Sequence, residues 1–97
     1  IMIHSKDNNP KSIFQFAKRF SKTQYARPLV CVPSTYSKTK ESELIKNGFN
    51  IVIYANQLLR SSYYSMMNTA KTILKNERAF ECEKNISSVK EIIELIN

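Results

Sequence analysis

The sequence predicts an α/β fold in which parallel strands alternate with crossover helices. Three observations lead there. Runs rich in Ile and Val recur at Ile1–Ile3, Leu29–Val32 and Ile51–Tyr54, amphipathic segments separate them, and the only glycine, Gly48, stands where one such segment would end. Continuous apolar runs, rather than alternating ones, suit strands covered on both faces of a parallel sheet.

The elements follow in order. Ile1–Ile3 reads as a strand with no turn or cap before it, as if the chain began within an element. Over Pro10–Lys22, Ile13, Phe14, Phe16, Ala17 and Phe20 recur at helical spacing, with Pro10 suited to a first turn and Asp7, Asn8 or Asn9 available as a cap. Tyr25-Ala26-Arg27-Pro28 returns the chain to a second strand, Leu29–Val32. The next helix, Thr39–Asn47, holds Leu44 and Ile45 on one side and places Glu41 and Glu43 near the positive end of its dipole. Gly48 can take the left-handed conformation that closes such a helix, ahead of the third strand. A long helix over 57–76 carries a broad stripe of Leu58, Leu59, Tyr63, Met66, Met67, Ala70, Ile73 and Leu74, which reads as core or interface. A polar connection, Ala79–Asn85, leads to a last amphipathic helix, Ser87–Ile96.

The order β-α-β-α-β-α-α, with right-handed crossovers, makes the three strands parallel neighbours. It fits either a small doubly wound sheet or a slice of a (β/α)8 barrel, which needs about 250 residues when complete. No linker or repeat divides the 97 residues, so residues 1–97 read as a single segment.

Composition removes several classes. At 42% hydrophobic residues the chain is no disordered tail. No apolar run approaches the roughly 18 residues of a membrane span. Nor does a leader pattern open it, so a cytoplasmic protein with reduced thiols is expected. Cys31 and Cys82 form neither a disulfide framework nor a metal motif, and Cys31, within Leu29–Val32, reads as a small buried hydrophobe. The net charge of +7 comes from basic residues spread along the chain, without a nucleic-acid-binding signature, so neither nucleic acid nor membrane is an expected partner.

Ligands of parallel α/β folds meet the carboxyl ends of the strands. All three strands end in polar residues: His4-Ser5-Lys6, Ser34-Thr35-Tyr36 and Asn56-Gln57. His4, the only histidine, is suited either to an anion or proton or to a loop hydrogen bond. Ser34 and Thr35 suit a phosphate or carboxylate oxygen, or a turn, and Asn56 and Gln57 a ligand or a helix cap. Ser5 and Lys6 suit the same rim, Lys6 equally a solvent-facing position, and Arg60 reads as a surface residue. A single glycine rules out a glycine-rich phosphate loop, no metal-ligand cluster is present, and no second histidine builds a nucleophile pair.

At these rim residues the wording resembles the phosphoenolpyruvate mutase family of the isocitrate lyase superfamily. The matching stretches are Ile1–Lys6, Pro28–Tyr36 and Gly48–Arg60, continuing through Ala70–Leu74 and Ser88–Ile92. The resemblance implies the C-terminal part of a TIM barrel, about strands six to eight plus the C-terminal helices. It implies a Mg²⁺-dependent enzyme that interconverts phosphoenolpyruvate and phosphonopyruvate for phosphonate biosynthesis. His4 matches the family's active-site histidine, which holds the migrating phosphoryl group beside an arginine from an earlier strand. Ser5, Ser34 and Asn56 follow as substrate-binding neighbours. Gln57 departs from the histidine common after the family's Ala-Asn pair. The Mg²⁺-binding acids, the gating loop and the arginine all precede the matched region, so this chain is expected to supply no metal ligand and to be inactive alone. The resemblance also implies a homo-oligomer that exchanges C-terminal helices. Two alternatives stay open: phosphonopyruvate hydrolysis or carbon–carbon lyase chemistry on the same scaffold, and a non-catalytic module binding a protein or an anion.

Overall fold

In a computed structural model that describes residues 1–96, the elements are β1 (Met2–Ile3), α1 (Lys11–Phe20), β2 (Val30–Cys31), α2 (Glu41–Lys46), β3 (Ile51–Val52), α3 (Gln57–Asn76), a 3-10 turn (Phe80–Asn85) and α4 (Val89–Glu94). The strands form one sheet in the order β1-β2-β3 with both pairs parallel, and Met2, Val30 and Ile51 share one register row while Ile3, Cys31 and Val52 share the next. The predicted order and strand direction are therefore observed.

Each strand is shorter than its apolar run, although hydrogen bonding reaches past the paired residues. Val30 N–H donates to the Ile1 carbonyl at 2.8 Å and Ile53 N–H to the Cys31 carbonyl at 2.9 Å. At the amino end of β2, Leu29 N–H turns to the Asn50 side chain at 2.9 Å. At its carboxyl end the chain tightens before Pro33 is passed, Ser34 N–H donating to the Val32 carbonyl at 2.8 Å.

The expectation of strands covered on both faces holds on one face only. Right-handed crossovers put α1 and α2 on the same side of the sheet. There Ile13 and Ala17 of α1 and Leu44 of α2 close over Leu29, Cys31, Tyr36 and Phe49 as the core. Cys31 is fully buried, as a small core residue would be. On the opposite face Met2 and Ile51 are exposed.

Local signals explain the helix ends. Lys11 N–H donates to the Asn9 side chain at 2.9 Å, so of the three candidates Asn9 closes the start of α1, next to Pro10. Gly48 takes φ +96 after α2, which a side chain would resist. Ser88 and Glu91 form a reciprocal capping box at α4, each accepting the other's backbone N–H. The connection expected over Ala79–Asn85 is ordered as a 3-10 turn, with Arg78 bonding Glu81 at 2.8 Å.

By its internal contacts the chain groups into two compact units, Ile1–Gln57 and Leu58 onward, with the boundary at the first turn of α3 rather than at a linker. In the second unit no residue of α3 or α4 is buried. Leu58, Leu59, Tyr63, Met66 and Leu74 are exposed, so the stripe that could serve as core or interface is not buried within the second unit.

Candidate active site at the strand ends

The parallel sheet carries the three polar strand ends to one side of the first unit. Thr35 donates its hydroxyl to the Ser5 carbonyl at 2.6 Å, tying the loop after β2 to the loop after β1. Asn56 donates from Nδ2 to Ser34 Oγ at 3.2 Å, tying the segment after β3 to the same loop. His4 is exposed, and its ring meets that of Tyr36 at a centroid distance of 6.5 Å, tilted by 38°. Contacts of this kind hold an aromatic ring in place without consuming its polar edge. Among the described residues neither imidazole nitrogen has a hydrogen-bond partner, so His4 is open to solvent or ligand.

The predicted residues differ in how much of their chemistry is left over. Ser5 Oγ lies 3.3 Å from Ser12 Oγ and accepts the Asp7 N–H at 3.1 Å, so its hydroxyl helps shape the entry to α1. Ser34 accepts from Asn56, which leaves its own O–H proton for a second acceptor. Gln57 accepts the Asn56 N–H through Oε1 at 3.3 Å, a local use at the start of α3.

Two features escape a residue-by-residue reading of the sequence. Tyr36 is fully buried, and burial pushes its phenol above the ordinary value, with the nearby Cys31 sulfur acting in the same sense. The Val32 backbone opposes this without the geometry of a hydrogen bond, and the phenol oxygen has no partner among the described residues. Tyr54 donates to Glu41 at 2.6 Å, which raises its own pKa, and nothing local links two residues so far apart in sequence.

The rim offers an imidazole, hydroxyls and amides but no carboxylate of its own. Mg²⁺ favours oxygen ligands with at least one carboxylate. Among the described residues no group of three or more His, Cys, Asp or Glu could hold a metal ion. The rim residues thus do not fit a Mg²⁺ site by themselves.

Three parallel β/α units with polar groups collected at the strand ends fit either a slice of a TIM barrel or a small doubly wound sheet. Comparison with known proteins says which. Phosphoenolpyruvate phosphomutase of Tetrahymena pyriformis is 30% identical over 95 residues, 98% of this chain and 31% of that enzyme. Phosphonopyruvate hydrolase of Variovorax sp. (strain Pal2) is 32% identical over 96 residues, 98% of this chain and 32% of that enzyme. Among solved structures, phosphoenolpyruvate phosphomutase from Streptomyces platensis subsp. rosaceus matches with a TM-score of 0.87 at 31% identity, covering 97% of this chain and 32% of that one. Phosphonopyruvate hydrolase in complex with oxalate and Mg²⁺ matches at 0.85 and 32% identity, covering 98% and 33%. No protein-family model matches. Over its whole length the chain is homologous to the phosphoenolpyruvate mutase superfamily, and it spans about a third of the length of the curated relatives it matches.

Proposed function

We propose that this chain works as the C-terminal part of a (β/α)8 barrel, about strands six to eight, in an enzyme that interconverts phosphoenolpyruvate and phosphonopyruvate. The observation that carries the reading is likeness to the Tetrahymena mutase across 98% of the chain, in one continuous order. His4 is the catalytic candidate. Its free imidazole would donate to an equatorial oxygen of the migrating phosphoryl group, where a fixed donor stabilises charge spread over those oxygens. Ser34 and Asn56 form the substrate-binding pair: the amide orients the hydroxyl, and the remaining O–H proton meets a carboxylate or phosphoryl oxygen. Ser5 lines the same rim mainly through its backbone, since Thr35 binds its carbonyl. Mg²⁺ would be held by residues outside this chain and would neutralise substrate oxygens. Without them the isolated chain is inactive.

The exposed stripes of α3 and α4 suit a homo-oligomer with exchanged C-terminal helices. A cytoplasmic location accords with two free, buried cysteines and with the lack, among the described residues, of a helix long and apolar enough to cross a membrane.

A second reading, phosphonopyruvate hydrolysis, rests on 32% identity to the Variovorax enzyme. One experiment separates them. The chain is assayed alone, and as a chimera replacing the corresponding third of the Tetrahymena mutase, with phosphonopyruvate and Mg²⁺ under ³¹P NMR. The mutase reading expects phosphoenolpyruvate from the chimera and nothing from the chain alone. Inorganic phosphate from the chimera would favour hydrolysis, and a folded chimera yielding neither would sink both. In the active chimera His4→Ala is expected to abolish most turnover with little thermal shift. Equal damage to both would make His4 structural.

A further inference from the structure

An open groove of about 1310 Å³ lies between α1 and α2 in the first unit; Thr35 of the strand-end loop borders it, while His4, Ser34 and Asn56 are absent from its walls. Half-buried Pro10 and Phe14 contribute apolar surface to it, and Gly48 is also part of its lining. Lys11 and Lys18 stand on the α1 bank, Lys38 and Lys46 on the other, and Glu43 is the only acid.

Two further facts bear on what fits there. The two ion pairs among the described residues, Arg78–Glu81 and Lys90–Glu94, lie in the second unit, so none of the four groove lysines is paired. Charge is also unevenly divided. Residues 1–57 hold nine of the fifteen basic residues and only three of the eight acids. Lys11 and Lys18 sit seven residues apart, about 10 Å along the helix at its 1.5 Å rise, which matches about three residues of extended peptide.

We propose that the groove between α1 and α2 is a docking site for an acidic peptide segment of a partner protein. The segment carries an aliphatic residue seated against Pro10 and Phe14, with carboxylates three to four positions apart facing the two lysine banks. Unpaired lysines on both sides of an apolar strip give such a segment two things at once: charge complementarity that speeds encounter, and apolar burial that slows release. An apolar helix would leave the lysines unmatched, and a bare polyanion would leave the apolar strip unused. The inference is independent of the chemistry assigned to the strand ends.

The test is fluorescence anisotropy of the 97-residue chain with a fluorescein-labelled Glu-Glu-Leu-Glu-Glu-Glu peptide. Saturable binding is expected, weakening about fivefold or more between about 50 and 250 mM NaCl, because exposed charges are screened over that range. The pair Lys18→Glu and Lys46→Glu should weaken it about tenfold or more, and the milder pair Lys18→Gln and Lys46→Gln about threefold, with circular dichroism confirming an unchanged fold. Replacing the peptide leucine by glutamate should weaken binding despite the added charge. The proposal is overturned by absence of saturable binding or by an equal loss with Lys71→Glu and Lys84→Glu, which lie outside the groove. Tighter binding of a single-stranded RNA of equal charge, or of the all-glutamate peptide, overturns it as well, since either would mark a general polyanion surface.

Discussion

Replacing Tyr36 by phenylalanine isolates one hydroxyl in an otherwise complete core. The ring is fully buried among Leu44, Cys31 and Phe49, and the phenol oxygen finds no hydrogen-bond partner among the described residues. A buried donor and acceptor left unmatched costs about 1–3 kcal/mol of desolvation. Losing the oxygen opens a gap smaller than a methyl group, for which the penalty would be below about 1 kcal/mol. The first effect is the larger, so Tyr36→Phe should stabilise the fold by about 1 kcal/mol at neutral pH, or about 4–8 °C in Tm for a chain of this size. The pH dependence has a definite sign. Burial raises the folded-state pKa of the phenol, so its contribution is fully present below the ordinary phenol value and lost as pH rises through the raised one. The variant should therefore lose less stability than the parent above about pH 10. Thermal unfolding followed by circular dichroism at pH 7 and at alkaline pH measures both. A lower Tm at pH 7, with the alkaline loss unchanged, would show that the hydroxyl is bonded, with Val32 the nearest backbone candidate, and the argument would fail.

Further substitutions probe other parts of the fold. Leu44→Ala removes a fully buried side chain from the helix-facing core and should cost about 2–5 kcal/mol in urea unfolding; a loss below about 1 kcal/mol would mean that the cavity collapses freely. Gly48→Ala meets no atom within 4 Å, so only its φ of +96 resists, and a cost of about 1 kcal/mol is expected; a neutral result would put the backbone elsewhere. Ser88→Ala removes the hydroxyl that accepts the Glu91 N–H, leaving the backbone half of the capping box in place, and should cost about 1 kcal/mol, seen as faster amide exchange at Glu91; unchanged exchange there would remove the box from the account of α4. Cys31→Ala should reduce the loss of stability above about pH 8.5, because burial raises this thiol and the protonated form is the one the core accepts; an unaltered alkaline limb would assign that loss to other groups.

Much of the architecture is legible because its signals are local. The bounds of α3, the left-handed Gly48, the acidic first turn of α2 and burial of Cys31 each follow from a few neighbouring residues. The same holds for the polar strand ends, since parallel strand direction follows from crossover order. Less legible are the couplings across the rim. Ser34 meets Asn56 over 22 positions and Thr35 meets Ser5 over 30, and no local pattern selects these bonds over a turn or a cap. Ser5 reads from the sequence as a rim residue, and only its contacts with Ser12 and Asp7 show its hydroxyl engaged at the entry to α1.

The sequence by itself determined the order of elements, the parallel sheet and the resemblance to the phosphoenolpyruvate mutase superfamily, because periodicity, caps and wording are properties of short stretches. Tertiary structure decided which face of the sheet is covered, that a buried Tyr36 stands beside His4, and that the stripe of α3 is not buried within the second unit. Burial and pairing are relations between residues distant in sequence. An apolar run signals that a residue should be covered, and only the packing shows by what.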